Sequence, residues 1–124
     1  MKHSIRITPL LLLLFCCIPL AAYANKSAVK IEAPSEAAKG SDITIKLTVT
    51  HNGNSALHHT EWLKVKANGK PLEEWNYTAS KRPDDSTFTK EIKIKAVEDL
   101  EITAQASCNL HGSAGQVTTK ISVR

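Results

Sequence analysis

The stretch ITIKLTVTH, residues 43–51, shows the pattern on which the prediction of the fold depends. Apolar side chains occupy every second position from Ile43 to Val49, and threonine or lysine occupies the positions between them. A two-residue period is typical of a β-strand with one face buried in a core. The same phase continues to His51, so this imidazole is expected to leave the strand end on the core side.

Short segments of the same kind recur along the rest of the chain. An Asn68-Gly69 pair provides a strong hairpin signal. Trp62 and Trp75 are expected in the core, whereas Lys90 interrupts the apolar face of its segment. No helical stripe of ten or more residues is present. The predicted strands are 29–32, 43–49, 58–67, 72–78, 88–97, 100–106 and 117–123.

About seven short strands in about 100 residues, with turn signals between them, are the signature of an immunoglobulin-like β-sandwich. We therefore predict an all-β fold of this class. An open barrel is the alternative.

The first 24 residues have the pattern of a signal peptide. A basic start at Lys2, His3 and Arg6 precedes an almost unbroken apolar run from Leu10 to Leu20, and Ala22-Tyr23-Ala24 supplies a cleavage pattern. We predict cleavage after Ala24, which leaves residues 25–124 as one domain in the periplasm or outside the cell. Attachment of a lipid at Cys17 is the alternative.

The composition of residues 25–124 argues against nucleic acid or a membrane as a partner and against an internal disulfide. Loss of Lys2 and Arg6 leaves 14 basic residues against 12 acidic ones, a net charge of +2. This charge is small, and basic runs with interleaved aromatic residues are absent, so neither nucleic acid nor a membrane is an expected partner. Cys108 is the single cysteine that remains, which excludes a disulfide within the domain.

Cys108 and His111 form a Cys-x-x-His spacing at the end of a predicted strand. Cys108 is in phase with Ala104 and Ala106, so its thiol is expected to point inward. His51 and His58 could supply further imidazoles from the upstream loop. Thiolate with imidazole suits zinc, copper or iron and excludes calcium and magnesium. The spacing therefore predicts one mononuclear metal site.

The motif Cys108-Asn109-Leu110-His111-Gly112 resembles the Cys-Asn-x-His-Gly motif of the superoxide reductases, the family of neelaredoxin and the iron domain of desulfoferrodoxin. The stretch His58-His59-Thr60-Glu61-Trp62 resembles the family's His-[His/Tyr]-x-x-Trp stretch, whose first histidine is a metal ligand. His51 is similar to the histidine that opens the preceding loop. The resemblance implies Cys108 and His111 as catalytic residues, and it implies the metal ligands His51, His58, Cys108 and His111.

The adjacent His59 is not predicted to be a metal ligand. Neighbouring residues on a strand point to opposite faces, so His58 and His59 cannot easily bind one ion. Because the spacing to Trp62 favours His58, His59 is expected to be exposed or to lie behind the ligands.

Two positions depart from the family pattern. Ser27 stands where the family has a further histidine ligand, and Asn25 stands where it has a glutamate near the open coordination position. The remaining three imidazoles and one thiolate suit copper, which is also highest in the affinity order of the divalent metals. We expect one mononuclear redox metal, with copper slightly favoured over iron.

The resemblance implies an exported metalloprotein that removes superoxide, either as a reductase or as a dismutase. A reductase would require a small periplasmic electron donor, whereas copper could cycle between its two oxidation states without one. The first alternative is a periplasmic copper-binding or electron-transfer protein that does not turn over superoxide. The second is a structural sandwich domain in which Cys108 serves as an attachment thiol.

Overall fold

The computed structural model describes residues 26–124, and these residues form eight β-strands. The predicted signal peptide, its cleavage site and Asn25 lie outside the described residues. None of residues 26–124 lies in a helix that could cross a membrane. The strands are β1 (Ala28–Glu32), β2 (Glu36–Ala37), β3 (Asp42–Thr50), β4 (Thr60–Ala67), β5 (Lys70–Asn76), β6 (Thr87–Lys95), β7 (Leu100–Cys108) and β8 (Val117–Val123).

The strands form two sheets. One has three strands in the order β1-β3-β6, and the other has five in the order β2-β8-β7-β4-β5. All pairings are antiparallel except that of β2 with β8. The predicted immunoglobulin-like β-sandwich is therefore confirmed. The additional strand, β2, has only two residues, which is too short for an alternating pattern to reveal it.

The core lies where the alternating faces of the two sheets meet. Ile45, Leu47 and Val49 of β3 are fully buried, while the threonines and lysines between them are more exposed. In β7 the buried face continues through Ala104 and Ala106 to the end of the strand. Burial of these aliphatic side chains is the main stabilising contribution, at roughly 25 cal/mol per Å² of apolar area.

The Asn68-Gly69 hairpin is confirmed between β4 and β5. Asn68 and Gly69 both have positive φ, at 50° and 77°, which is the conformation of a two-residue type I′ turn. The Asn68 side chain also accepts a hydrogen bond from the Glu101 amide and donates one to the Asp99 carbonyl. The turn is thereby joined to the start of β7.

Aromatic and strand-boundary predictions are corrected at several points. Trp62 is half-buried rather than in the core, because it lies on the face of β4 opposite to the buried Leu63 and Val65. On that face the ammonium of Lys64 lies 4.5 Å from the centroid of the Trp62 ring. The strand that contains it begins at Thr60, not at His58. The following strand is Lys70–Asn76 rather than 72–78. The Lys90 side chain is half-buried, and its ammonium lies 5.9 Å from the centre of the Trp75 ring.

The pairing of β4 with β7 determines where the candidate site forms. These strands are antiparallel, and Thr60 at the start of β4 lies opposite Cys108 at the end of β7. The loop that precedes β4 therefore approaches the loop that follows β7. The same end of the sandwich also receives the loop that follows β3, in the other sheet.

Candidate metal centre

The four predicted ligands converge at one end of the sandwich. Nε2 of His58 lies 3.1 Å from Nε2 of His51 and 3.0 Å from Nδ1 of His111. Nδ1 of His111 in turn lies 3.9 Å from Sγ of Cys108. One donor atom from each of His51, His58 and Cys108 lies within 4.8 Å of the other two. His51, His58 and Cys108 thus form a group that could hold one ion. His111 lies beside this group, in contact with His58 and Cys108, but does not belong to it.

Strand phase explains the burial of two of these side chains. His51 follows the inward positions of β3 and is 3% exposed, and its amide donates to the Ser86 carbonyl at 2.8 Å. Cys108 follows the inward positions of β7, and it is likewise 3% exposed with a free thiol. Both groups are therefore held at the edge of the apolar core by rigid strands.

A tight turn brings His111 back towards the thiol of Cys108. The amide of Cys108 donates to the Gly112 carbonyl at 2.8 Å, and the amide of Gly112 donates to the Cys108 carbonyl at 3.1 Å. Gly112 has a φ of 77°, a left-handed conformation that glycine adopts without a steric penalty. This backbone geometry explains why a glycine follows the Cys-x-x-His spacing.

The sulfur of Cys108 also receives a contact from the backbone. The Leu110 amide donates towards Sγ at 3.4 Å. This contact helps to hold the sulfur in place at the start of the turn.

Asn109 places His58 opposite the thiol. Its side chain donates to the Leu57 carbonyl at 3.2 Å and accepts from the His59 amide at 3.0 Å. Its own amide donates to the His59 carbonyl at 3.0 Å. Because these contacts lie on both sides of His58, they join the histidine loop to the Cys-x-x-His turn. The motif contained Asn109, but its spacing alone did not indicate this role.

His59 does not join the cluster. Its ring is buried at 5% exposure, and Nδ1 lies 3.2 Å from the Ser55 carbonyl, which can only accept a hydrogen bond. Of the two alternatives predicted for His59, exposure is excluded, and a position behind the ligands is left. The reason is that the loop folds back on itself between Ser55 and His58, which encloses the second imidazole.

Ser27 occupies a buried position beside the site. It is fully buried, and its hydroxyl lies 2.8 Å from the hydroxyl of Thr60. Its backbone bonds to the Gly112 carbonyl and the Ala114 amide. Ser27, whose place in the sequence corresponds by resemblance to a further histidine, thus has a hydroxyl bonded to Thr60. Within residues 26–124, His51, His58 and His111 are the only imidazoles of the cluster.

The donor atoms fit a single metal ion. Nε2 of His58 faces two ring nitrogens, although a neutral ring nitrogen can form only one good hydrogen bond. An ion would instead accept a lone pair from each ring. With metal–nitrogen bonds of about 2.0–2.1 Å, two nitrogens at tetrahedral angles lie about 3.3 Å apart, close to the separations of 3.0 and 3.1 Å seen here.

A family model, described as desulfoferrodoxin, matches residues 21–114. The chain belongs to the desulfoferrodoxin family. The resemblance predicted from the cysteine and histidine motifs is therefore confirmed. Members are redox metalloproteins of superoxide chemistry with one mononuclear metal, which is normally iron. Membership gives no support to the predicted preference for copper, which stays a prediction.

Solved structures of low sequence identity share the fold of this desulfoferrodoxin-family chain. Superoxide reductase (neelaredoxin) from Ignicoccus hospitalis is 21% identical, with a TM-score of 0.66 over 80% of this chain and 82% of that one. A proposed superoxide reductase from Thermotoga maritima is 22% identical, with a TM-score of 0.60 over 78% and 86%.

A domain that is not named as a superoxide reductase has a similar fold. A CARDB domain from Pyrococcus furiosus, solved with metal ions, is 14% identical, with a TM-score of 0.62 over 79% of this chain and 87% of that one. Likeness at this level concerns the fold alone. No curated protein sequence gives a significant match.

Proposed function

We propose that this chain is a mononuclear redox metalloprotein that removes superoxide at a site formed by His51, His58, Cys108 and His111. The observation that carries the proposal is the approach of the His51 and His58 rings to the buried sulfur of Cys108, with His111 in contact with both His58 and Cys108. Family membership supports the redox chemistry, because superoxide is the substrate associated with this family. A buried thiol and three imidazoles are also the donor types that redox metals prefer.

Each residue of the site has a distinct part in this chemistry. When bound at these residues, a redox metal would supply one electron that, with two protons, converts superoxide to hydrogen peroxide. In a dismutase the electron would be regained from a second superoxide, which would leave as dioxygen. His51, His58 and His111 would hold the ion, and the sulfur of Cys108 would donate electron density to it. The Leu110 amide moderates the charge on the sulfur. His111 is exposed whereas His51 is buried, so superoxide would approach the site from the His111 side.

The donor count bears on the choice of metal. Ser27 offers a hydroxyl that is already bonded to Thr60, so three imidazoles and one thiolate are the donors of the site. Copper is satisfied by three or four donors of this kind, whereas five-coordinate iron would need an additional ligand such as water. This is the argument for copper against the family's usual iron. A copper site could act as a dismutase without a donor protein.

Metal content and superoxide consumption test this proposal together. The full chain is expressed so that it matures in the periplasm, and its metal is determined by elemental analysis. The decay of superoxide generated by pulse radiolysis is then followed with and without a one-electron donor. We expect one metal ion per chain and decay faster than with the same concentration of free ion. Decay without a donor indicates a dismutase, and decay that consumes the donor indicates a reductase. Stoichiometric iron without copper would exclude the copper version.

A periplasmic copper-binding or electron-transfer protein is the second candidate. The absence of a histidine at Ser27 favours this candidate, because a site with three histidines suits copper binding or electron transfer better than the turnover of superoxide. The same experiment separates the two functions. One bound metal with superoxide decay no faster than that of the free ion would support the second candidate and exclude the first.

We also propose that the chain is exported, on the basis of the signal-peptide pattern in residues 1–24. Expression of the full chain in a bacterial host should yield a periplasmic protein whose N-terminal residue is Asn25. Cell fractionation and N-terminal sequencing provide the measurement. A cytoplasmic product that retains Met1 would contradict export, and a lipid on Cys17 would contradict the cleavage site.

A further inference from the structure

We propose that Asn54 is a positioning residue that fixes the tautomer of His51, so that Nε2 presents its lone pair to the site. This inference rests on the proposed metal site, since it assigns the atom through which His51 binds. Asn54 lies in the loop between β3 and β4, and no motif of the sequence pointed to it.

Two backbone partners determine the orientation of the Asn54 amide. The Thr60 amide lies 2.8 Å from Oδ1, and the Asp85 carbonyl lies 2.6 Å from Nδ2. A backbone amide can only donate, and a backbone carbonyl can only accept. The oxygen of the side chain must therefore face Thr60, and its nitrogen must face Asp85.

The same oxygen determines which nitrogen of His51 carries the proton. Oδ1 of Asn54 lies 3.3 Å from Nδ1 of His51. Because an amide oxygen can only accept, Nδ1 must donate, and the neutral ring then has its lone pair on Nε2. Nε2 is the atom that faces His58 at 3.1 Å. The tautomer assigned in this way is the one that can bind an ion in the cluster.

Asn54 also joins three separate segments around His51. Its contacts reach the start of β4 and the loop that precedes β6, which lies 31 residues further along the chain. The neighbouring Ser86 carbonyl accepts from the His51 amide, so the same loop holds the backbone of the histidine. A ring held at both its backbone and Nδ1 has little freedom to turn away from the cluster.

Two substitutions distinguish control of the His51 tautomer by Asn54 from simple anchoring of the loop by Asn54. Asn54→Ala removes all three contacts. Asn54→Asp keeps an oxygen for His51 and Thr60, but it loses the donor to the Asp85 carbonyl. A carboxylate also makes the imidazole a stronger donor to a metal. Asn76→Ala, at the exposed end of β5, is the matched control for loss of an asparagine side chain.

Nitrogen chemical shifts of the histidine rings in the metal-free full chain give the direct readout. We expect His51 to be protonated at Nδ1 in the original chain and in Asn54→Asp, and to populate both tautomers in Asn54→Ala. Protonation at Nε2 in the original chain would overturn the inference. An unchanged tautomer in Asn54→Ala would also overturn it.

Metal affinity from chelator competition and the reduction potential of the loaded chain give the second readout. Asn54→Ala should weaken binding by about 10- to 100-fold, the usual effect of losing such a partner. Asn54→Asp should bind more tightly than Asn54→Ala and have a lower potential than the original chain. Equal losses in both variants would show loop anchoring instead and overturn the inference. If the original chain binds no metal, the proposed function fails, and the nitrogen shifts alone decide the role of Asn54.

Discussion

Cys108→Ser should bind the metal at least about 100-fold more weakly than the original chain, and it should lose the visible absorption band of sulfur-to-metal charge transfer. The expected loss exceeds the roughly 10- to 100-fold effect of partners outside the ligand set, because the thiolate is itself a donor. Cys108 is the one cysteine of the described residues, so no other thiolate there can replace it. Chelator competition and the visible spectrum measure both quantities.

Ser107→Ala provides the matched control for Cys108→Ser. Ser107 is the preceding residue of β7, it is buried, and its hydroxyl lies near the Cys108 carbonyl rather than the sulfur. This control should keep both the affinity and the absorption band. A Cys108→Ser variant with full activity and an unchanged band would show that the site is wrongly assigned.

The adjacent residues His58 and His59 are predicted to differ in their effects on metal binding and on stability. His58→Gln should lose metal binding by at least about 100-fold, because the His58 ring contacts both His51 and His111 and is central to the cluster. His59→Gln should retain the metal. It should instead lower the free energy of unfolding by about 1–3 kcal/mol, since it disturbs a buried ring bonded to the Ser55 carbonyl.

Metal stoichiometry and urea unfolding distinguish the effects of these two variants. The metal-free proteins are compared in urea, so that loss of the ion does not itself change the stability. Loss of metal in His59→Gln, together with retention in His58→Gln, would reverse the assignment of the two rings. Loss in both with equal destabilisation would indicate that the loop, rather than a single imidazole, was disturbed.

Local periodicity explains why much of the fold could be predicted. Alternation from Ile43 to Val49 identified β3 and its buried face, because a strand places successive side chains on opposite sides. The same rule placed His51 and Cys108 on the inner side of their strand ends. The positive-φ preference of Asn68-Gly69 identified a hairpin without reference to the rest of the molecule.

The errors occurred where distant segments decide the local conformation. The sequence pattern began a strand at His58, but the structure begins it at Thr60, because contacts with Asn109 and Ser55 hold the preceding residues in a loop. Trp62 was expected in the core because it is large and aromatic. Its side chain instead lies on the outer face of β4 beside Lys64, opposite to the buried Leu63 and Val65.

For this protein, then, the sequence by itself determined seven of the eight strands, apart from some of their ends, together with the hairpin and the inward phase of His51 and Cys108. Each of these follows from neighbouring residues. Only the tertiary structure decided that the His59 ring is buried against the Ser55 carbonyl. It alone brought Asn54 to Asp85 across 31 residues. These features depend on hydrogen bonds between remote loops, whose partners no periodicity along the chain can identify.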